Sequence, residues 1–161
     1  MSVATIIQSL QKLIHIHASL VDVSEQKTSI IKEGSIDKLQ PILSKERQAV
    51  QMLEKAEAKR QQAVEQWYMD NQLTSSTMTI THMLDVLGSS EERHQLEEAT
   101  TELTHLLTEL KRQEQLNNAL IQQSMQFIQM SLDMMQPTIK NVNYGDQNNH
   151  QSKRSVFDSK A

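Results

Sequence analysis

The sequence predicts an all-α protein: an elongated antiparallel bundle of three long helices plus a short bridging helix, with a disordered C-terminal tail. Three observations carry that expectation. Only three Gly and two Pro interrupt 161 residues and aromatics are 3%, a composition that favours helix over strand. Apolar residues recur at alternating spacings of three and four over long stretches. After Pro137 they give way to Asn, Gln, Ser and Gly, too little apolar surface to offset the entropy of ordering. The expected organisation is a helical bundle domain over 1–140 and a flexible tail over 141–161.

The first helix is read from Val3, Ile7, Leu10, Ile14, His17, Val21, Ser24, Thr28 and Ile31, a seam with heptad-like spacing. Ile6, Leu13 and Leu20 widen it into a face that can touch two neighbours, which suits a bundle better than a two-stranded zipper. Gly34 is the expected stop, as a left-handed C-cap, with Ser35 capping the next turn. Pro41 is expected to open the second helix, where its missing N–H costs nothing, and that helix runs to about Asp70. Its apolar side carries Leu43, Val50, Leu53, Val64 and Trp67, interrupted by Glu46, Glu57 and Arg60.

Asn71 to Ser76 is rich in turn formers, and Met78 to Leu87 carries Ile80, Met83, Leu84 and Leu87 in a short helical pattern. Gly88 ends it. Ser89 with Glu92 three residues on reads as a capping box for the third long helix, from about Glu91 to Gln136, stopping before Pro137. The seam of that helix is Leu96, Leu103, Leu106, Leu110, Leu120, Ile121, Ile128, Leu132 and Met135. At 1.5 Å per residue it would reach roughly 65 to 70 Å against about 45 Å for the other two. One end must overhang, and the Met-rich C-terminal end is the candidate.

Charge excludes some functions. Sixteen basic and 20 acidic residues are interleaved to a net −4, so no basic stripe marks a nucleic-acid surface or an anionic membrane. The absence of Cys removes disulfides and thiolate metal ligands. No apolar run approaches the roughly 18 to 20 residues of a membrane span, and the first ten residues do not read as a signal peptide. The expected location is cytoplasmic, without membrane insertion.

No residue set reads as catalytic. His15 and His17 stand about 200° apart on a helix and cannot share a metal ion. His82, His94 and His105 are the candidates for a phosphotransfer histidine, but Glu109 one turn beyond His105 would place negative charge where a phosphoryl group must sit. Glu91 with Glu92, and Glu97 with Glu98, diverge as neighbours on a helix and are accounted for by the helix dipole. There is no glycine-rich phosphate loop and no nucleophile elbow. The sequence predicts no enzyme, cofactor or metal.

The informative stretch is Leu116 to Met135. At roughly 100° per residue, Ile121, Met125, Ile128, Leu132 and Met135 share one arc, read as an ordinary core face. Leu120, Phe127, Met130 and Met134 form a second arc more than a quarter turn away, which is either core or a docking face. Met is unbranched and polarizable, so such a face can adapt to more than one apolar partner helix. Asn117 and Gln113 interrupt this helix as His17, Ser24 and Thr28 interrupt the first. Such polar groups fix the register either of the chain's own helices or of a partner.

On Asn117-Asn118-Ala119-Leu120-Ile121, then Phe127-Ile128, then Tyr144-Gly145, the chain resembles the FlgN-like flagellar export chaperones. Glu25-Gln26-Lys27, Leu39 with Glu46, and the ending Ser155-Val156-Phe157-Asp158-Ser159-Lys160-Ala161, similar to Gram-positive members, extend the resemblance along the chain. It implies a cytoplasmic chaperone that binds the hook–filament junction proteins FlgK and FlgL by their C-terminal helical segments, prevents premature assembly and delivers them to the flagellar type III export gate. The client-binding residues it implies are Asn117, Leu120, Ile121, Met125, Phe127, Ile128, Met130, Leu132, Met134 and Met135. It assigns gate docking to the region of Tyr144, and Phe157 is the tail's second aromatic anchor. The alternative of a different class is a structural coiled-coil or adaptor subunit that self-associates through the same helix face.

Overall fold

The computed structural model describes residues 2–74 and 78–142, with side chains described as far as Gln136. Among the described residues there are four helices and no strand: α1 (Val3–Glu33), α2 (Ile36–Asp70), α3 (Ile80–Leu87) and α4 (Glu91–Val142). Three are long and one short, as the periodicity predicts. Two compact units divide after Gln122; the first holds the bundle, and the second is taken separately below. The expected tail falls almost wholly outside the described residues, because 143–161 are not among them.

The boundaries show which local signals prevail. Gly34 adopts φ 70° and ψ 23° and ends α1, with its N–H donating to Ile31 O at 3.1 Å. No atom crowds the place of a Cβ there, so glycine is demanded by the positive φ alone. Ser35 takes the N-cap position of α2, but its side chain makes no capping bond. That helix begins at Ile36, ahead of Pro41, which lies inside it. A proline this near the start removes a single donor, and neighbouring turns carry the helix across it.

The short helix starts at Ile80 instead of Met78, where the Thr79 hydroxyl accepts from the His82 N–H at 3.3 Å. The expected Ser89–Glu92 capping box does not form. Ser90 is the cap of α4: its hydroxyl accepts from the Arg93 N–H at 3.1 Å, and its carbonyl accepts the first helical bond, from the His94 N–H, at 3.2 Å. An N-cap side chain serves the N–H three residues on, so which of two adjacent serines caps is decided by where the chain enters the helix. Nor does α4 stop before Pro137; it runs on to Val142. Beyond a proline's single lost donor, the following N–H groups still find carbonyls one turn back.

The core of the bundle is built on the broad face of α1. Ile6, Leu10, Leu13, Ile16 and Leu20 meet Ala56, Ala63, Val64, Trp67 and Tyr68 of α2, Met83 of α3, and Leu96 and Ala99 of α4. The face is wide because α1 packs on both other long helices. The sequence positions that meet give the directions. Leu10 and Leu13 line one groove with Leu103 and Leu107, and further on Ser24 and Thr28 bond Glu114 and Asn117, so sequence position rises together along both helices and α1 and α4 run parallel. Lys27 meets Glu46 close to the Gly34 turn while Lys12 lies beside Lys55 and Lys59 further from it, so α2 runs antiparallel to α1.

Candidate functional site

A polar layer joins the three long helices within the bundle. Lys27 of α1 is the hub: its ammonium donates to Glu46 Oε1 of α2 at 2.6 Å, and to both carboxylate oxygens of Glu114 of α4 at 3.0 and 3.1 Å. Ser24 donates to the same Glu114 at 2.8 Å. Asn117, 1% exposed, donates from its amide to the Ser24 carbonyl and hydroxyl, and its Oδ1 faces the Thr28 hydroxyl. Gln113 donates to that hydroxyl at 2.6 Å. Ser24, Lys27 and Thr28 stand three and four residues apart, which puts all three on one face of α1.

The electrostatics of this layer are self-consistent. Burial works against the Lys27 charge, but its bonds to Glu46 and Glu114 outweigh that and hold its pKa above the ordinary 10.5. Burial likewise works against ionised Glu114, and the donors Ser24 and Lys27 outweigh it, holding its pKa below 4.5. No buried side-chain polar atom among the described residues lacks a partner. Of the interrupting polar residues, Ser24 and Thr28 of α1 bond Gln113 and Asn117 of α4, which favours register within the chain at those positions, whereas His17 bonds within its own helix. Asn117, which the resemblance assigns to client binding, is buried in the bundle, with its amide group bonded to Ser24 and facing Thr28.

At the other end of the bundle Tyr68, fully buried, ties α3 down. Its hydroxyl lies 2.9 Å from the Thr79 carbonyl and 2.9 Å from His82 Nδ1. A carbonyl only accepts, so the single hydroxyl proton goes to Thr79 and His82 donates from Nδ1–H. The rings of Tyr68 and His82 stack at 5.7 Å, and Trp67 meets Tyr68 edge-on at 5.3 Å. Burial pushes the Tyr68 phenol pKa up. Sequence reading missed Tyr68; its adjacency to Trp67 just before the α2–α3 connection was the available signal.

The predicted chemistry residues are dispersed. His17 is buried and donates from Nδ1–H to Leu13 O at 2.8 Å, whereas His15 is exposed. Glu57 and Arg60 form a two-bond pair at 2.6 and 2.8 Å, and the guanidinium holds the Glu57 pKa below its usual value. They border an open groove of about 340 Å³ floored by Leu10, Leu13, Leu53 and Leu103. Among the described residues no group of three or more His, Asp or Glu could hold a metal ion, and no helix is long and apolar enough to cross a membrane.

The second half of α4 is different in kind. Met125 (65% exposed), Phe127 (68%), Ile128, Met130, Leu132, Met134 (73%) and Met135 are all exposed. Just before them Ile121 is exposed at 41% and Leu120 half-buried. Ile121, Met125, Ile128, Leu132 and Met135 had read as core, and the structure overturns that: periodicity reports that a face is apolar, not that anything covers it. Leu43 and Val50 on the expected face of α2 are likewise about 40% exposed. Tyr144 and Phe157 lie outside the described residues.

The sequence matches the family described as FlgN protein over residues 1–152. It is 32% identical, over the full length of both chains, to a protein of Bacillus subtilis (strain 168) described as "Uncharacterized protein YvyG". No solved structure matches it.

Proposed function

Because the chain belongs to the FlgN family, a family of non-enzymatic flagellar export chaperones that bind hook-associated proteins, we propose that it binds FlgK and FlgL in the cytoplasm. In this reading it holds their C-terminal helical segments, prevents premature assembly and delivers them to the export gate. Residues 1–140 act as the chaperone domain. Residues 141–161 act as a tail that docks on the gate through Tyr144 and Phe157.

The observation that carries this reading is the run of exposed apolar side chains from Met125 to Met135. Soluble chains rarely leave a contiguous apolar face of this kind without a partner for it. An amphipathic client helix reads such a face through side chains one turn apart, and methionines accommodate two related clients without rebuilding the surface. Leu120 and Ile121 extend the face toward the bundle end of the helix. The polar layer fixes the register of α4 on α1 over Gln113 to Asn117.

Co-purification with FlgK and FlgL tests the proposal. A stoichiometric complex that is lost on replacing Phe127 and Met130 together with Asp, with helicity unchanged, is the expected result. Unchanged client affinity in that variant overturns the surface. Sedimentation separates the self-association alternative, because an obligate oligomer with no free apolar face would favour a structural coiled-coil subunit.

A further inference from the structure

We propose that the second half of α4 takes up two helices of its client at once, one on each of two faces. This deepens the client-binding reading above and rests on it. At roughly 100° per residue, Met125, Ile128, Leu132 and Met135 fall within about 80° of one another, and Phe127, Met130 and Met134 form a second arc centred roughly 150° away. Together they occupy about 220° of the helix circumference. The remainder is a polar stripe of Gln126, Gln129, Asp133 and Gln136.

A single amphipathic helix presents an apolar stripe of about 100°. Laid on the first arc, it leaves Phe127 and Met134 in water, and these are the two most exposed of the set at 68% and 73%. Two helices, one on each arc, flank α4 on nearly opposite sides and leave the polar stripe outward. Nothing between the arcs opposes this. The Ser131 hydroxyl donates to Phe127 O at 2.9 Å within its own helix, so a partner can cover it without stranding a donor. Asp133, the lone charge between Ile121 and Gln136, lies on the outward stripe and accepts from Gln129 at 3.1 Å.

A second copy of the chain fits this surface less well. The broad apolar face of α1, the Trp67 end of α2 and Met83 of α3 are already buried in the bundle core. A copy that docks through its own α4 brings one helix, and one such helix covers one arc.

Site-specific photocrosslinking on the full-length chain decides the matter. With Leu132 (first arc) or Met134 (second arc) replaced by p-benzoylphenylalanine, and the chain co-purified with a hook–filament junction protein, the two positions should crosslink to two different helical segments of the same client molecule. Crosslinks from both positions to one segment overturn the proposal, as does a Met134 position that reacts only with another copy of this chain. Leu132→Asp and Met134→Asp should each weaken client binding about tenfold, with helicity retained because both sites are exposed. Normal affinity in Met134→Asp, with wild-type binding intact, overturns the two-helix arrangement and leaves client binding standing. Failure of the wild-type chain to bind any junction protein overturns the functional reading itself.

Discussion

Asn117 of α4 bonds Ser24 of α1 twice, its amide donating to the carbonyl at 3.0 Å and to the hydroxyl at 3.1 Å. A one-residue slip of either helix would break both bonds and bury an amide without partners, so this pair selects one register in a way that apolar packing alone does not. Asn117→Leu keeps the volume and removes the bonds. The expected cost is about 1–3 kcal/mol in urea unfolding, with client affinity of the folded protein unchanged because Asn117 is buried. Lost client binding at unaltered stability would assign Asn117 to the client surface.

Among the described residues, Lys27 is the one cation between Glu46 and Glu114. Lys27→Met leaves two carboxylates facing each other across three helices. Both keep partial access to water, at 25% and 34% side-chain exposure, so the loss should stop well short of that for a fully buried pair. A decrease of about 1–3 kcal/mol is expected, read as a lower thermal midpoint. A variant as stable as wild type would show that the layer is decorative.

The same layer sets the pH range of stability. Glu114 has its folded pKa below 4.5, so its contribution is present above 4.5 and is lost as pH falls through the folded value. Glu57, lowered chiefly by Arg60, acts in the same direction. Lys27 has its folded pKa above 10.5, so its contribution is present below 10.5 and is lost as pH rises through the folded value. Urea midpoints should therefore form a plateau between those limits, and Glu114→Gln should flatten the acid limb. An acid limb of unchanged steepness in that variant would assign it to other carboxylates.

Tyr68→Phe tests how α3 is held. The variant keeps the ring against Trp67 and His82 but removes the hydroxyl that receives Nδ1–H and binds the Thr79 carbonyl. A loss of about 1–2 kcal/mol is expected, with faster amide exchange confined to α3. Trp67, the single tryptophan, lies 5.3 Å from the Tyr68 ring and reports the change by fluorescence. Unchanged exchange in α3 would mean that the packing of Ile80, Met83, Leu84 and Leu87 fastens it without the hydroxyl.

Helix number, helix type and the Gly34 stop were legible because each follows from spacing or from one residue's backbone freedom. The Ser89 cap and the stop at Pro137 were not, because both depend on hydrogen bonds made one turn away. The seam of α1 was read almost residue by residue, but Lys27 was not counted as buried. Its charge hides its place three residues from Ser24 on the same face, and its partners come from helices far along the chain. The apolar arcs of α4 were visible as arcs, but exposure belongs to the folded chain and not to the pattern.

The tail offers the sharpest functional separation. Tyr144 lies outside the described residues, and sequence resemblance, not geometry, assigns it to the export gate. A lone aromatic in a polar segment suits weak, reversible docking, where one side chain supplies much of the affinity. Tyr144→Ala should therefore weaken binding to the gate's cytosolic domain about tenfold and leave client affinity within about twofold, because the apolar face from Met125 to Met135 is untouched. Titration of the variant against client and against gate measures both. If client and gate binding fall together, the tail belongs to the client site; if neither falls, Phe157 or another segment carries the docking.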